Sequence, residues 1–245
     1  PEVLAACERI RHHLGKLVDS HLQEPDRFDD IASSVISARD QETGEPFTRE
    51  ELIDQLGVFF LAGHETTASA LTWAFYILAA QPHWLGRLRE EIDRVAGEAP
   101  LTFELTRQLP LVKAFFKETL RLYPPITFMP RVALREATIA GRRLRRGALV
   151  MIAPWTLQRH AKWWSDPHAF RPERFLPENE SALTPGAYIP FGQGPHTCVG
   201  AGFAQTESVL ILAELVRHFD WLLSPGQRVR PAARMTTRPA SQIML

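Results

Sequence analysis

The residue pattern predicts a mainly α-helical chain with a small β part. Three observations carry this. No proline interrupts the chain between Pro46 and Pro82. Apolar residues recur at helical spacing over 3–23, 110–122 and 200–219. Alternation with turn signals, the pattern of short strands, is confined to 126–153 and the last 25 or so residues.

In chain order, Val3, Leu4, Ile10, Leu14, Leu17, Val18 and Leu22 mark a first helix, and a second is expected from Phe28 to Arg39. Asp40 to Pro46 reads as a polar turn. Thr48 and Glu51 form a T-x-x-E capping box. The helix it opens runs to Gln81, which at 1.5 Å per residue is roughly 50 Å. Its apolar residues lie almost all round from Val58 to Leu61 and from Leu71 to Leu78, so it is expected to be buried along its length. Trp84 to Ala96 is a charged amphipathic helix. Another starts at Pro110 and stops at Leu122, before Pro124 and Pro125. Residues 154–196 show little period and need something else to pack them. Gly200 to Phe219 is the last long helix.

The chain has 245 residues, 45% hydrophobic and 23% charged, with 28 basic and 28 acidic side chains. The balance leaves no basic footprint for nucleic acid. Cys7 and Cys198 form neither a disulfide framework nor a C-x-x-C site, which favours a reducing, cytoplasmic setting. No apolar run reaches the ~20 residues of a membrane span. The chain opens on Pro1, already inside a helical pattern. It is therefore expected to be one incomplete domain, 1–245, whose N-terminal half lies elsewhere.

Phe191-Gly192-Gln193-Gly194-Pro195-His196-Thr197-Cys198-Val199-Gly200 carries the sharpest chemistry. Gly194 and Gly200 permit close approach of backbone to a flat cofactor. The start of a long helix favours a negative sulfur. A thiolate so held can ligate haem iron and promote O–O cleavage. A buried structural cysteine is the competing reading. A dinucleotide-binding glycine loop fails, because Thr197 and Gln205 stand where the third glycine belongs.

Ala62-Gly63-His64-Glu65-Thr66-Thr67 interrupts the long helix with residues of poor helix propensity. A threonine hydroxyl can bond back to the preceding turn and bend the helix. A neighbouring carboxylate can relay protons. A plain kink with a satisfied Glu65 stays open on these residues alone. Glu118 and Arg121 share one helix face at i,i+3, a spacing that usually gives a surface ion pair worth little.

These segments together resemble the cytochrome P-450 family. Phe191, Gly194, His196, Cys198 and Gly200 match F-x-x-G-x-[HR]-x-C-x-G at every fixed position. Ala62 to Thr67 match [AG]-G-x-[DE]-T-[TS]. Glu118-Thr119-Leu120-Arg121 resembles E-x-x-R, and Pro172-Glu173-Arg174-Phe175 resembles P-E-R-F. The resemblance covers residues 1–245 and implies the C-terminal portion of that fold, with a long central helix and a cysteine loop against haem b. It implies that Cys198 is the axial iron ligand, that His196 and Arg131 reach haem propionates, and that Phe191 packs beside the sulfur. Gly192, Gly194 and Gly200 shape the loop, while Ala62 and Gly63 line the opposite haem face. Thr66 hydrogen-bonds the oxygen being activated, and Glu65 belongs to the proton route. Glu118, Arg121 and Arg174 form a buried structural network that packs 154–190.

Further implications of the resemblance are a substrate pocket at Phe59, Phe60, Ile126, Thr127, Phe128, Thr236 and Thr237, with Met129 ending the strand that lines it. The reaction implied is monooxygenation of an apolar small molecule. Electrons come from a ferredoxin or flavoprotein reductase, so NAD(P)H acts only indirectly. A peroxide-using relative, a non-catalytic haem protein and a truncated, inactive chain are the alternatives. The Glu65-Thr66 pair argues against the first. One departure is Gln158-Arg159-His160, where many members read H-R-D or H-R-H, so a haem-side hydrogen bond is expected to differ. His12, His13 and His64 read as surface or packing residues, Trp163 and Trp164 as packing. Arg142, Arg143, Arg145 and Arg146 read as a solvated hairpin.

Overall fold

The computed structural model describes residues 2–245, and contacts divide them at Glu65/Thr66 into two compact units. The first holds α1 (Glu2–Gln23), α2 (Ile31–Ser37) and the opening turns of α3 (Arg49–Ala80). Asp30 caps α2, its carboxylate accepting from the Ser33 amide at 2.8 Å. This delays the helix three residues past the expected Phe28, whose ring instead stacks on buried His21 at 4.0 Å. Asp40 accepts from the Glu42 and Thr43 amides and turns the chain, so that Arg39 bridges to Pro46. The capping box forms at the head of α3: the Thr48 amide donates to Glu51 Oε2 at 2.7 Å, and the Glu51 amide to Thr48 Oγ1 at 3.3 Å. Val18, Leu52, Ile53 and Leu56 make the core of this unit. Arg49 grips Asp19 with two hydrogen bonds, of 2.7 and 2.9 Å, and Arg11 binds Glu50 and Asp54.

The second unit holds the rest of α3, then α4 (His83–Ala96), α5 (Phe103–Thr106) and α6 (Pro110–Leu122). Next come β1 (Met129–Val132), β2 (Ala137–Ile139), β3 (Arg142–Leu144), β4 (Leu149–Ile152), α7 (Pro154–Leu157), α8 (Pro177–Glu180), α9 (Ala201–His218), β5 (Pro231–Ala233) and β6 (Thr237–Pro239). The strands pair as antiparallel ladders, β1 with β4, β2 with β3 and β5 with β6. Ala74, Ile77, Leu78, Leu88, Ile92, Val112, Phe115, Leu212 and Val216 build one core from α3, α4, α6 and α9. A second, smaller cluster of Ala114, Trp164, Phe175 and Ala187 sits under the irregular segment.

Burial of α3 departs from expectation. Leu52, Ile53 and Leu56 are buried, as are Ala70, Trp73, Ala74 and Ile77 to Ala79. Between them, Val58, Phe60 and Leu61 are 63, 58 and 62% exposed. An all-round apolar helix needs cover on every side, and this chain supplies it only at the two ends. The helix itself runs without a break through Gly63 and Thr66. Among the described residues no helix is long and apolar enough to cross a membrane.

Candidate functional site

The loop that carries Cys198 is shaped by its own backbone. The Gly192 amide donates to Ile189 O at 3.1 Å. Gly192 and Gly194 take φ values of 76° and 79°, in the left-handed region that favours glycine. A Cβ on Gly192 would also stand 3.3 Å from the His196 carbonyl and 3.6 Å from Met129 Sδ. Thr197 donates to Gly194 O through both its amide, at 3.0 Å, and its hydroxyl, at 2.9 Å. The Cys198 amide closes the loop on Phe191 O at 2.8 Å. Phe191 packs against the main core, which anchors the loop base.

Cys198 is thereby delivered to the head of α9, which begins at Ala201 with no side-chain cap. The positive end of the α9 dipole lies at this point of the chain. The cysteine is exposed, which removes the reading of a buried structural thiol. A Cβ on Gly200 would approach its Sγ to 4.0 Å, and one on Gly194 would meet nothing within 4 Å. A bare backbone thus flanks one exposed sulfur. His196 is exposed on the same loop.

The network at Glu118 lies in the same unit. Glu118 and Arg121 are both fully buried. Arg121 Nε and Nη2 donate to the two Glu118 oxygens at 2.6 and 2.8 Å, and the guanidinium also reaches the carbonyls of Gln158, Pro167 and Ala169 at 2.8, 2.8 and 2.9 Å. The Arg171 amide donates to Glu118 Oε1 at 2.8 Å. Arg174 Nε stands 3.5 Å from that oxygen, an ionic contact without a well-formed hydrogen bond, while its Nη2 donates to Asp166 O at 3.0 Å. Burial pushes the Glu118 carboxyl up, and Arg121, the Arg171 amide and Arg174 pull against it. The surface-pair reading of Glu118–Arg121 is therefore excluded, because neither side chain meets solvent.

Elsewhere, Glu65 and Thr66 are half-buried on α3, and Ala62 and Gly63 are exposed. His64 is exposed and lies over Phe60 with ring centroids 6.4 Å apart. Phe59, Ile126 and Thr127 are half-buried, and Phe128 is exposed. Strand β1 starts only at Met129, so Ile126 to Phe128 form the lead-in to it. Thr236 and Thr237 are buried. The Thr237 hydroxyl donates to Pro124 O at 2.6 Å, and Thr237 O accepts from Ser69 Oγ at 2.6 Å and Trp73 Nε1 at 2.9 Å. Thr237 thus clasps β6 to the segment after α6 and to α3. Arg131, half-buried on β1, donates to Pro130 O at 2.8 Å.

The model of the cytochrome P450 family matches residues 2–245. This chain belongs to the cytochrome P450 family. Cyclooctatin synthase of Streptomyces melanosporofaciens is 35% identical over 233 residues, 94% of this chain and 50% of that protein. The bifunctional cytochrome P450/NADPH–P450 reductase of Gibberella moniliformis is 32% identical over 237 residues, 96% of this chain and 21% of that protein. Among solved structures, the crystal structure of cytochrome P450 CYP102L1 matches with a TM-score of 0.89 at 28% identity, over 99% of this chain and 56% of that one. The P450 chain described here thus spans about half the length of the first curated relative it matches.

P450 membership implies a haem, and the donor set fits one. Among the described residues no group of three or more His, Cys, Asp or Glu side chains gathers that could hold a metal ion. A metal held by Cys198 alone requires a partner that brings its own ring of donors. The uncrowded glycine backbone beside the sulfur suits a flat one.

Two residues of this P450 enter the site region from outside the motifs. Met129 was legible only as an apolar lining residue, yet its sulfur packs against the Cys198 loop at Gly192. Gln158 is fully buried, and its side chain bonds to protein backbone. Within the Q-R-H departure, the Gln158 side chain is therefore satisfied by backbone. Arg159 beside it lies 3.5 Å over the Trp155 ring and donates to Leu122 O, and burial pushes its pKa down to about 10.

Proposed function

We propose that this chain is the C-terminal part, within one incomplete domain, of a haem-dependent monooxygenase that inserts one oxygen atom from dioxygen into an apolar organic substrate. The observation that carries the reading is the exposed Cys198 sulfur, held by a self-closed glycine loop at an uncapped helix start. Bound haem would supply the iron at which dioxygen is reduced. Cys198 would ligate that iron, with Phe191 beside the sulfur and Gly192, Gly194 and Gly200 keeping the backbone close. His196 and Arg131 would pair with the propionates, and Ala62 and Gly63 would line the other face.

Proton delivery falls to Glu65 and Thr66. A carboxyl can take up and release a proton within a helix, and an adjacent hydroxyl can hold a water and pass the proton on. Phe59, Phe60, Ile126, Thr127 and Phe128 offer apolar contact to substrate. Thr236 and Thr237, both buried, are assigned to the substrate pocket as well. Electrons would come from a flavoprotein or ferredoxin that oxidises NAD(P)H, a reading supported by the relative in which the two proteins are fused.

Replacement of Thr66 by alanine tests the relay. In a haem-loaded protein containing this chain, product formed per dioxygen consumed should fall roughly ten-fold or more, with haem content unchanged. Unchanged coupling would remove Thr66 from the relay.

A further inference from the structure

Gln158 connects the buried ion network to the loop that carries Cys198. Its Nε2 donates to Leu120 O and Arg121 O, both at 3.0 Å, at the end of α6. Its Oε1 accepts from the Ile189 amide at 2.9 Å. The Gln158 carbonyl in turn accepts from Arg121 Nη1 at 2.8 Å. On the loop side, Ile189 O accepts from the Gly192 amide at 3.1 Å, and Phe191 O accepts from the Cys198 amide at 2.8 Å. An unbroken path thus runs from the α6 terminus, through one side chain, to the base of the cysteine loop. Gln158 is 0% exposed, so these bonds do not compete with bulk water.

We infer that Gln158 is a positioning residue for the Cys198 sulfur: it sets the loop base at Ile189–Phe191 and so the orientation of the thiolate. The amide is suited to this. Two donors and one acceptor are needed at once, facing two carbonyls and one amide proton. A glutamine supplies them without a charge. An imidazole has two ring nitrogens and can satisfy at most two of the three contacts. A clasp made by glutamine also holds its geometry across the pH range in which a histidine would titrate. The importance of the sulfur's orientation rests on the haem-thiolate reading; the clasp itself does not.

The test is therefore made first without haem. In a protein containing this chain, before haem is added, amide exchange at Ile189, Gly192 and Cys198 is followed alongside alkylation of Cys198, with Cys7 as the internal reference. Gln158→Ala should speed exchange at these amides by about ten-fold, the factor expected for loss of a buried hydrogen bond, and should change the alkylation rate of the already exposed Cys198 relative to Cys7. The Cys7 rate and exchange within α4 should not change. Gln158→His, which keeps an acceptor for Ile189, should give a smaller increase than Gln158→Ala. Equal rates in all three proteins would overturn the inference. So would a rise shared equally by Cys7 and α4, which would mark Gln158→Ala as a general fold defect, if Gln158→His then also left the loop unchanged. In a haem-loaded protein containing this chain, Gln158→Ala should in addition shift the CO-bound spectrum partly away from the thiolate form. Loss of the loop effect with a normal thiolate spectrum refutes the clasp. A protected loop in a protein that never shows a thiolate spectrum refutes the haem reading instead.

Discussion

At the scale of single residues, Arg121 spends its guanidinium on one carboxylate and three backbone carbonyls. Irregular chain lacks a ladder to satisfy its own carbonyls, and a buried planar fork of donors can serve several at once. Removing one partner of such a pair leaves the other charged and dry. Glu118→Gln should destabilise the fold by about 3–5 kcal/mol, read by denaturant unfolding. A loss below about 1 kcal/mol would return the pair to the class of surface contacts. The motif residues were legible because their types are unusual: one cysteine among glycines, and an acid followed by two threonines in a helix. Gln158 was not. Its contacts join positions 31 to 38 residues apart, and nothing local distinguishes it from a surface glutamine.

At the scale of elements, punctuation was read well and cover was not. Pro110 and the prolines after Tyr123 bound α6 at Pro110–Leu122, as expected. The four-residue α5 has too short a period to declare itself. In α2 the Asp30 cap decides the start, a choice propensity alone does not make. The Ser33 amide foremost, and then His21, hold the Asp30 carboxyl below the usual carboxylate range. With the folded value depressed, the stabilisation is complete above the unfolded value and is lost as pH falls through the folded one. A titration of Asp30 by carboxyl NMR should therefore show a midpoint below 3.8, with α2 fraying in step. Asp30→Asn should keep the cap and lose that pH dependence. A normal midpoint would mean the cap is not formed in solution.

At the scale of the whole molecule, the apolar stretch of α3 shows what hydropathy can and cannot say. Val58, Phe60 and Leu61 demand cover, and composition reveals the demand without naming what meets it. With about half the length of the relative it matches, the chain alone is expected to retain haem poorly and to self-associate. Size-exclusion chromatography and haem titration of the 245-residue chain check this. A stable monomer with one haem per chain would contradict it.

The central claim is that Cys198 is the iron ligand. The most direct measurement is the reduced, CO-bound absorption spectrum of a haem-loaded protein containing this chain, beside its Cys198→Ser variant. The parent should show the red-shifted Soret band of thiolate ligation, and the variant should lose it while Cys7→Ser keeps it. A thiolate band that survives Cys198→Ser would contradict the account.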